Sequence, residues 1–359
     1  MNPIRIAVDA MGGDNGHKVV VRGAIKAAKA NPVKIILVGN EKKLTNALRK
    51  HKYEGEEIEI YNATEEITMH DSPKTSIETK PDASIVVAAR LVGEGKADTL
   101  VSAGSTGSVV LSAARNIPRI SDVRRTAIAT VYPTMNELKR DDILSLMLDV
   151  GANIHCSAEE LAQFAIMGSA YVRDVRGTPN PKVALLNIGE EATKGGEKMQ
   201  EAYRMLKNMS TINFVGNIEG KDILRGIVDV IVTEGFVGNI VIKTLEGAAN
   251  TVGSLGKLAF KTRISWKLGL IMLRKGMAFI KEATDYSEYG GAPLLGFEKM
   301  VIIAHGRSNA KAISNAIKLA GKCVRDDVCG EIARNINKFE REPQREYERM
   351  KSERYPSEK

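Results

Sequence analysis

A chain of 359 residues with 43% hydrophobic and 27% charged side chains has the balance of a folded globular protein, which excludes disorder over most of its length. Three cysteines (Cys156, Cys323 and Cys329) make no even-numbered disulfide framework and no CxxC pair, so the thiols point to a reducing, cytoplasmic setting and away from zinc. A net charge of +8 favours an anionic partner, yet no zinc-finger spacing, RNP-like aromatic strand or basic run interleaved with aromatics points to nucleic acid.

In chain order, short Val/Ile/Leu runs alternate with Ala- and Lys-rich helical stretches, the pattern of strands covered on both faces by helices. The first run, Ile4–Val8, follows no basic region, long apolar stretch and cleavage site in succession, so export is not expected. Further strands are predicted at Ile35–Val38, Thr99–Ser102, Leu144–Asp149, Val183–Asn187, Asn213–Val215, Val228–Thr233 and Val301–Ala304. Several end in glycine-rich turns: Ala10–Asp14, Ser102–Gly107, Asp149–Asn153 and Ala304–Gly306. In a parallel sheet such turns gather on one edge, which predicts one shared site. The pentapeptide Phe-Val-Gly-Asn-Ile occurs at Phe214–Ile218 and again at Phe236–Ile240, and reads as two related turns.

From Gly247 to Lys281 the chain holds no acidic residue and seven Lys and Arg, a helical insertion expected at about 247–285 within a single α/β catalytic domain spanning 1–336. Trp266, Leu270, Leu273, Met277 and Ile280 would form one apolar stripe there, suited to a dimer interface and, with the surrounding cations, to an anionic membrane surface. No run approaches the roughly 18 apolar residues of a spanning helix. Residues 337–359 read as a charged C-terminal tail.

The turn Ala103-Gly104-Ser105-Thr106-Gly107 enters a helical run, so its backbone N–H groups and two hydroxyls can face an anion at a helix N-terminus; an ordinary tight turn uses the same glycines. Neither a Walker A pattern nor a dinucleotide fingerprint is present, and GxSxG and HExxH are also absent, so the sequence supports no nucleotide cofactor, Ser-triad or zinc chemistry. Lys194, among the glycines of Gly189–Gly196, offers a point charge to an anion. Asn239, at the end of Glu234–Asn239, can donate to a carbonyl oxygen as negative charge develops.

Ile6–Asp14 closely resembles the opening of the bacterial PlsX family of acyl-acyl carrier protein:phosphate transacylases. The resemblance continues in order through Ser102–Gly107, Leu148–Asn153, Val183–Gly195, Phe214–Gly220, Asp229–Gly247 and Tyr289–Gly306. It implies a three-layer α/β/α sandwich with a mostly parallel sheet, like that of phosphotransacetylases, acting as a homodimer without a metal or cofactor. It further implies transfer of a fatty acyl group from acyl carrier protein to inorganic phosphate, the acyl phosphate then serving a membrane glycerol-3-phosphate acyltransferase. By motif, Lys194 and Asn239 take the catalytic positions; Gly12, Gly13, Gly104, Ser105, Thr106, Gly107, Asn153 and His305 are the candidate substrate-binding residues. Asn153 suits either binding or turn-building. Asp9, Asp14 and Asp149 are expected to organise turns through backbone N–H groups, since carboxylates facing phosphate would repel it. His17 and His305 are acid/base candidates, but a thiolate leaving group scarcely needs a proton, which favours structural roles for both. This chain departs from the family pattern at Ser105 (usually Asn), Glu234 (usually Asp), Glu190 (often Thr) and His17 (often Pro). The alternatives are a phosphotransacetylase-like enzyme acting on acyl-CoA, a decarboxylating dehydrogenase, and a non-catalytic scaffold for acyl carrier protein.

Overall fold

The computed structural model describes residues 3–137, 142–262 and 289–354. Its first half runs β1 (Ile4–Asp9), α1 (His17–Ala30), β2 (Val33–Gly39), α2 (Glu41–Lys50), β3 (Ile58–Asn62), α3 (Pro73–Thr79), α4 (Ser84–Gly93), β4 (Thr99–Ser102), α5 (Thr106–Asn116) and β5 (Ala127–Pro133). The second half runs β6 (Leu144–Leu148), α6 (Ala158–Arg176), β7 (Lys182–Leu186), α7 (Gly196–Asn208), β8 (Asn213–Ile218), β9 (Val230–Val232), α8 (Gly235–Thr262), β10 (Ala292–Leu295), β11 (Met300–Ile303), α9 (Ala310–Arg325) and α10 (Val328–Arg354).

All eight expected strands are present, and three more join them. Each of the three hides its signal: β3 is mostly exposed and carries Glu59 and Asn62, β5 ends on Pro133, and β10 has four residues including Pro293. The strands form one sheet of order β3-β2-β1-β4-β11-β10-β5-β6-β9-β7-β8. Neighbours are parallel except around β10 and β5: β10 is antiparallel to both β11 and β5, and β5 is antiparallel to β6. These three reversals leave β6, β9, β7 and β8 running opposite to β1, β2, β3, β4 and β11. The expected gathering of all glycine-rich turns on one edge is therefore corrected. Two groups of turns exist, one at the strand ends of each half.

Alternation along the strands sets the layers, because successive side chains point to opposite faces. Ile6, Val8, Ile35 and Leu37 of the first half share one buried cluster with Leu146, Leu148, Val183, Leu185, Val230 and Val232 of the second, so that face is a continuous core under α1, α6 and α9. The opposite face is divided. Ala7, Ile36, Val38 and Val301 pack with α4 and α5, whereas Met147, Ala184 and Ile231 form a separate cluster against which Val241, Ile242 and Leu245 of α8 pack. Val150 touches both clusters and marks the seam between them. Each fully buried Leu or Ile contributes about 1.5–3 kcal/mol over an exposed one, which makes the continuous face the scaffold.

Two boundaries differ from expectation. Helical structure begins at Gly235, twelve residues before the expected insertion, since α8 is continuous to Thr262. The expected domain end at 336 falls inside α10, where Ile332 and Ile336 are buried, so the charged segment continues a packed helix. The Trp266 stripe and the cations from Arg263 to Lys281 lie outside the described residues.

Candidate active site

The first group of turns is organised by Asp9, which is 2% exposed at the end of β1. Its Oδ1 accepts from Met11 N (3.3 Å), Gly12 N (3.2 Å) and Ser84 Oγ (2.6 Å), and its Oδ2 from Ser102 Oγ (2.7 Å). One carboxylate thus ties together the turn after β1, the start of α4 and the end of β4, the role expected of it. Burial pushes the Asp9 carboxyl above the usual range, against the lowering effect of these four hydrogen bonds.

The same network allocates the donors of the Ser102–Gly107 turn. Gly104 N donates to Ser102 Oγ (3.0 Å), so this N–H is already spent. Ser105 is the N-cap of α5: its Oγ accepts from Ser108 N (3.3 Å) and donates to Ser108 Oγ (2.7 Å). The expected cradle from Gly104 to Gly107 with two hydroxyls therefore narrows to the N–H groups of Thr106 and Gly107 and the exposed Thr106 hydroxyl. The first helical N–H groups have no carbonyl one turn back, which is what leaves them for an anion.

Gly12 and Gly13 serve close approach. A side chain at Gly12 would come within 2.5 Å of Asp9 Oδ2 and 2.8 Å of Gly104 N. Gly13 has φ 92°, and next to it Asp14 N donates to Gly306 O (2.8 Å), which joins the first turn to the one after β11. The Asp14 carboxylate is exposed, and its backbone N–H makes this link. His305, half-buried in the turn after β11, accepts Arg307 N at Nδ1 (3.1 Å), which assigns the ring hydrogen to Nε2. Burial lowers its pKa; Glu246 opposes and Lys243 reinforces the shift, so α8 reaches the first group of turns. His17, the first residue of α1, is also lowered, by burial and then by Lys43 and Lys18.

In the second group Asp149 is fully buried. Its Oδ1 accepts from Ile128, Gly151 and Ala152 N (3.0 Å each), and its Oδ2 from Asn153 N (2.7 Å) and Nδ2 (2.9 Å). Asn153 Nδ2 also donates to Thr126 O (2.7 Å), so both of its amide hydrogens build the turn and only Oδ1 is left for another contact. A Cβ at Gly151 would lie 3.8 Å from Asn239 Cγ. Asn239 is exposed on the first turn of α8, which abuts this loop because Gly235 and Gly238 face Asn153 and the Asp149 carbonyl without a side chain.

Lys194 sits in the turn after β7. Its N donates to Glu191 O (3.1 Å), its carbonyl accepts Asn187 Nδ2 (3.2 Å), and its stem runs past Gly189. Among the described residues its exposed ammonium has no ion-pair partner, whereas Lys198, one helical turn on, is paired with Glu234 (2.5 Å). That pair was not foreseen; the i+4 spacing from Lys194 was its only trace. Ser84 and Thr126 were also missed, having no motif around them. Among the described residues one cluster of three acids could share a cation, Glu190, Glu219 and Asp222, but Lys221 lies between the first two and Arg225 holds the third (2.8 Å). The three thiols are free; burial raises those of Cys156 and Cys329 to about 12, which suits packing and not nucleophilic attack.

Residues 4–331 match the model of a family described as fatty acid synthesis protein. The phosphate acyltransferase of Dictyoglomus turgidum is 45% identical over 337 residues, covering 94% of this chain and 98% of that protein. Those of Moorella thermoacetica (45% identity, 89% and 92% coverage) and Geobacter sulfurreducens (43% identity, 93% and 94% coverage) are similarly related. Among solved structures, a phosphotransacetylase from Streptococcus pyogenes superposes with a TM-score of 0.63 at 18% identity, covering 90% of this chain and 94% of that one. A phosphotransacetylase from Staphylococcus aureus gives 0.59 at 20% identity, again over 90% and 94%; both show the fold alone. With a family model matched over most of its length and relatives above 40% identity, the chain belongs to the phosphate acyltransferase family and is an acyltransferase.

Proposed function

We propose that the protein transfers a long-chain fatty acyl group from acyl carrier protein to inorganic phosphate, giving an acyl phosphate for phospholipid synthesis. The observation that carries this reading is Asn239 set against the Asp149 turn, with Lys194 on the loop that leaves the neighbouring strand. The Thr106 and Gly107 N–H groups at the start of α5, beside the one that the Ser105 cap takes, supply a further anion site in the first half.

Phosphate is already anionic near neutral pH, with a second ionisation around pH 6 in its esters, so it needs positioning more than deprotonation. Thr106 N, Gly107 N and Lys194 hold it. A phosphate oxygen attacks the thioester carbon, Asn239 donates to the carbonyl oxygen as it becomes negative, and the C–S bond then breaks. The thiolate leaves and takes its proton from solvent. His305, neutral with its hydrogen on Nε2, serves as a donor to bound substrate.

A homodimer at an anionic membrane surface, delivering product to a membrane glycerol-3-phosphate acyltransferase, completes the reading. Val252, Leu255 and Leu258 of α8 support it, being 70%, 60% and 61% exposed, which a covering partner or surface would relieve. Among the described residues no helix is long and apolar enough to cross a membrane.

The test mixes purified protein with a long-chain acyl-acyl carrier protein and phosphate, then follows free carrier thiol and hydroxylamine-reactive acyl phosphate. Both should appear in equal amounts and depend on phosphate. Turnover of acetyl-CoA alone would instead make the protein a phosphotransacetylase-like enzyme, and carrier binding without turnover would make it a scaffold.

A further inference from the structure

The Lys198–Glu234 pair joins two loops of the second half. Lys198 lies in the first turn of α7, four residues beyond Lys194, and Glu234 immediately precedes α8, five residues before Asn239. β7 and β9 are parallel neighbours, so the two loops leave adjacent strand ends in the same direction. Glu234 is anchored at its own end, since its carbonyl accepts Gly238 N (2.9 Å) within the first turn of α8. Lys198 is anchored by the helix that starts at Gly195 and Gly196, both at positive φ. The side chains are 39% and 20% exposed, so water screens the contact only in part. Among the described residues it is the one side-chain bond between the Lys194 loop with α7 and the approach to α8.

We infer that the Lys198–Glu234 ion pair fixes the separation of Lys194 and Asn239, making both partners positioning residues for acyl transfer. The inference rests on the roles given above to Lys194 and Asn239. The Glu234 carboxylate reaches across to the neighbouring loop, and Lys198 meets it there. Lys194, carried by one loop, is thereby set against the oxyanion donor carried by the other, where an error of about 1 Å costs up to about 10²-fold in rate.

Lys198→Gln and Glu234→Gln, assayed with long-chain acyl-acyl carrier protein and phosphate, should each lower kcat about tenfold with both KM values within about twofold of the parent. The double variant should be no slower than either single one, because the second change breaks a contact already lost. Lys198→Arg, which keeps the charge, should recover most of the activity. Should the neutral variants fail to fold, the swapped chain Lys198→Glu/Glu234→Lys rebuilds the pair and should run within about threefold of the parent. Parental kcat in either single variant, losses that multiply in the double variant, or a rise confined to the phosphate KM of Lys198→Gln would each overturn the inference. Lys194→Ala in the same assay keeps the two readings apart. Full activity there sinks the role of Lys194, whereas an inactive Lys194→Ala beside a fully active Lys198→Gln sinks only the positioning pair.

Discussion

At the end of β1 the buried Asp9 carboxylate accepts two backbone N–H groups and two serine hydroxyls; at the end of β6 the buried Asp149 carboxylate accepts four backbone N–H groups and the Asn153 amide. A hydroxyl can turn and become an acceptor, but an N–H cannot. The turn of the first half can therefore adjust to a change in its central group, whereas the turn of the second half is committed to acceptor atoms at its centre. The committed turn is the one against which Asn239 is set, as suits a donor that must wait in place for charge to develop.

The sharpest way to break this comparison is to neutralise both carboxylates with amides. Asp149→Asn points an NH₂ at backbone donors and leaves about two of them unpaired, each costing about 1–3 kcal/mol. A loss of about 2–5 kcal/mol in urea or thermal unfolding is expected. Asp9→Asn should cost no more than about 1–2 kcal/mol, because Ser84 or Ser102 can reverse its hydroxyl. Equal losses would mean that hydroxyl freedom makes no difference.

Next in size are the groups proposed to touch substrate in the second half. Lys194→Ala and Asn239→Ala should each lower turnover at least ~10²-fold, the scale for one preorganised transition-state donor, with circular dichroism and melting unchanged. Parental turnover in either would remove that residue from the chemistry.

Smaller effects separate the glycines of the first half. Gly12→Ala drives a methyl into Asp9 and Gly104 and should cost about 1–3 kcal/mol of stability, while Gly104→Ala meets nothing closer than Ser102 Oγ at 3.2 Å. Gly104→Ala should fold and raise the phosphate KM more than the acyl-donor KM, since it stands beside the phosphate donors. Matching rises in both would indicate a general disturbance of the turn.

The smallest effect is a pH dependence. Asp9 has a folded pKa raised above 3.8, so the native state keeps its proton where the unfolded chain has lost it. This group's contribution is largest below the unfolded value and falls as pH rises through the folded one. The stability deficit of Asp9→Asn against the parent should therefore shrink as pH rises above about 4. A deficit that grows over that window would mean that the hydrogen bonds outweigh burial.

Much of the fold was legible because it follows from local pattern. Eight strands stood out as Val/Ile/Leu runs ended by glycine, and Asp9 and Asp149 were identifiable as turn-builders from their place at strand ends. The candidate site was legible as a set of residues but not as a set of free groups. Nothing in the sequence says that Gly104 N is spent on Ser102, that Ser105 caps α5, or that Asn153 gives both amide hydrogens to its own turn. Hydrogen-bond allocation depends on which loops meet, and Ser84 reaches Asp9 across 75 residues of chain.

The alternating pattern and the motifs that carry the family were determined by the sequence itself, because each is a property of neighbouring residues. Tertiary structure alone decided which way the halves run, since direction depends on the insertion of β10 and β5 between them. The pentapeptide Phe-Val-Gly-Asn-Ile makes the same point within five residues, for the expected pair of similar turns is not what forms. At Phe214–Ile218 it is within strand β8, where Phe214 packs edge-on against Tyr203 (5.2 Å between ring centroids) and Gly216 takes φ 106°. At Phe236–Ile240 it is the first turn of α8, where Phe236 is 55% exposed and Gly238 lies against the Asp149 carbonyl. Identical residues, with identical local propensity, are drawn into a strand by a neighbouring strand and into a helix by the residues that follow, because pairing and packing outweigh the few tenths of a kcal/mol, up to ~1 per residue, that propensity supplies.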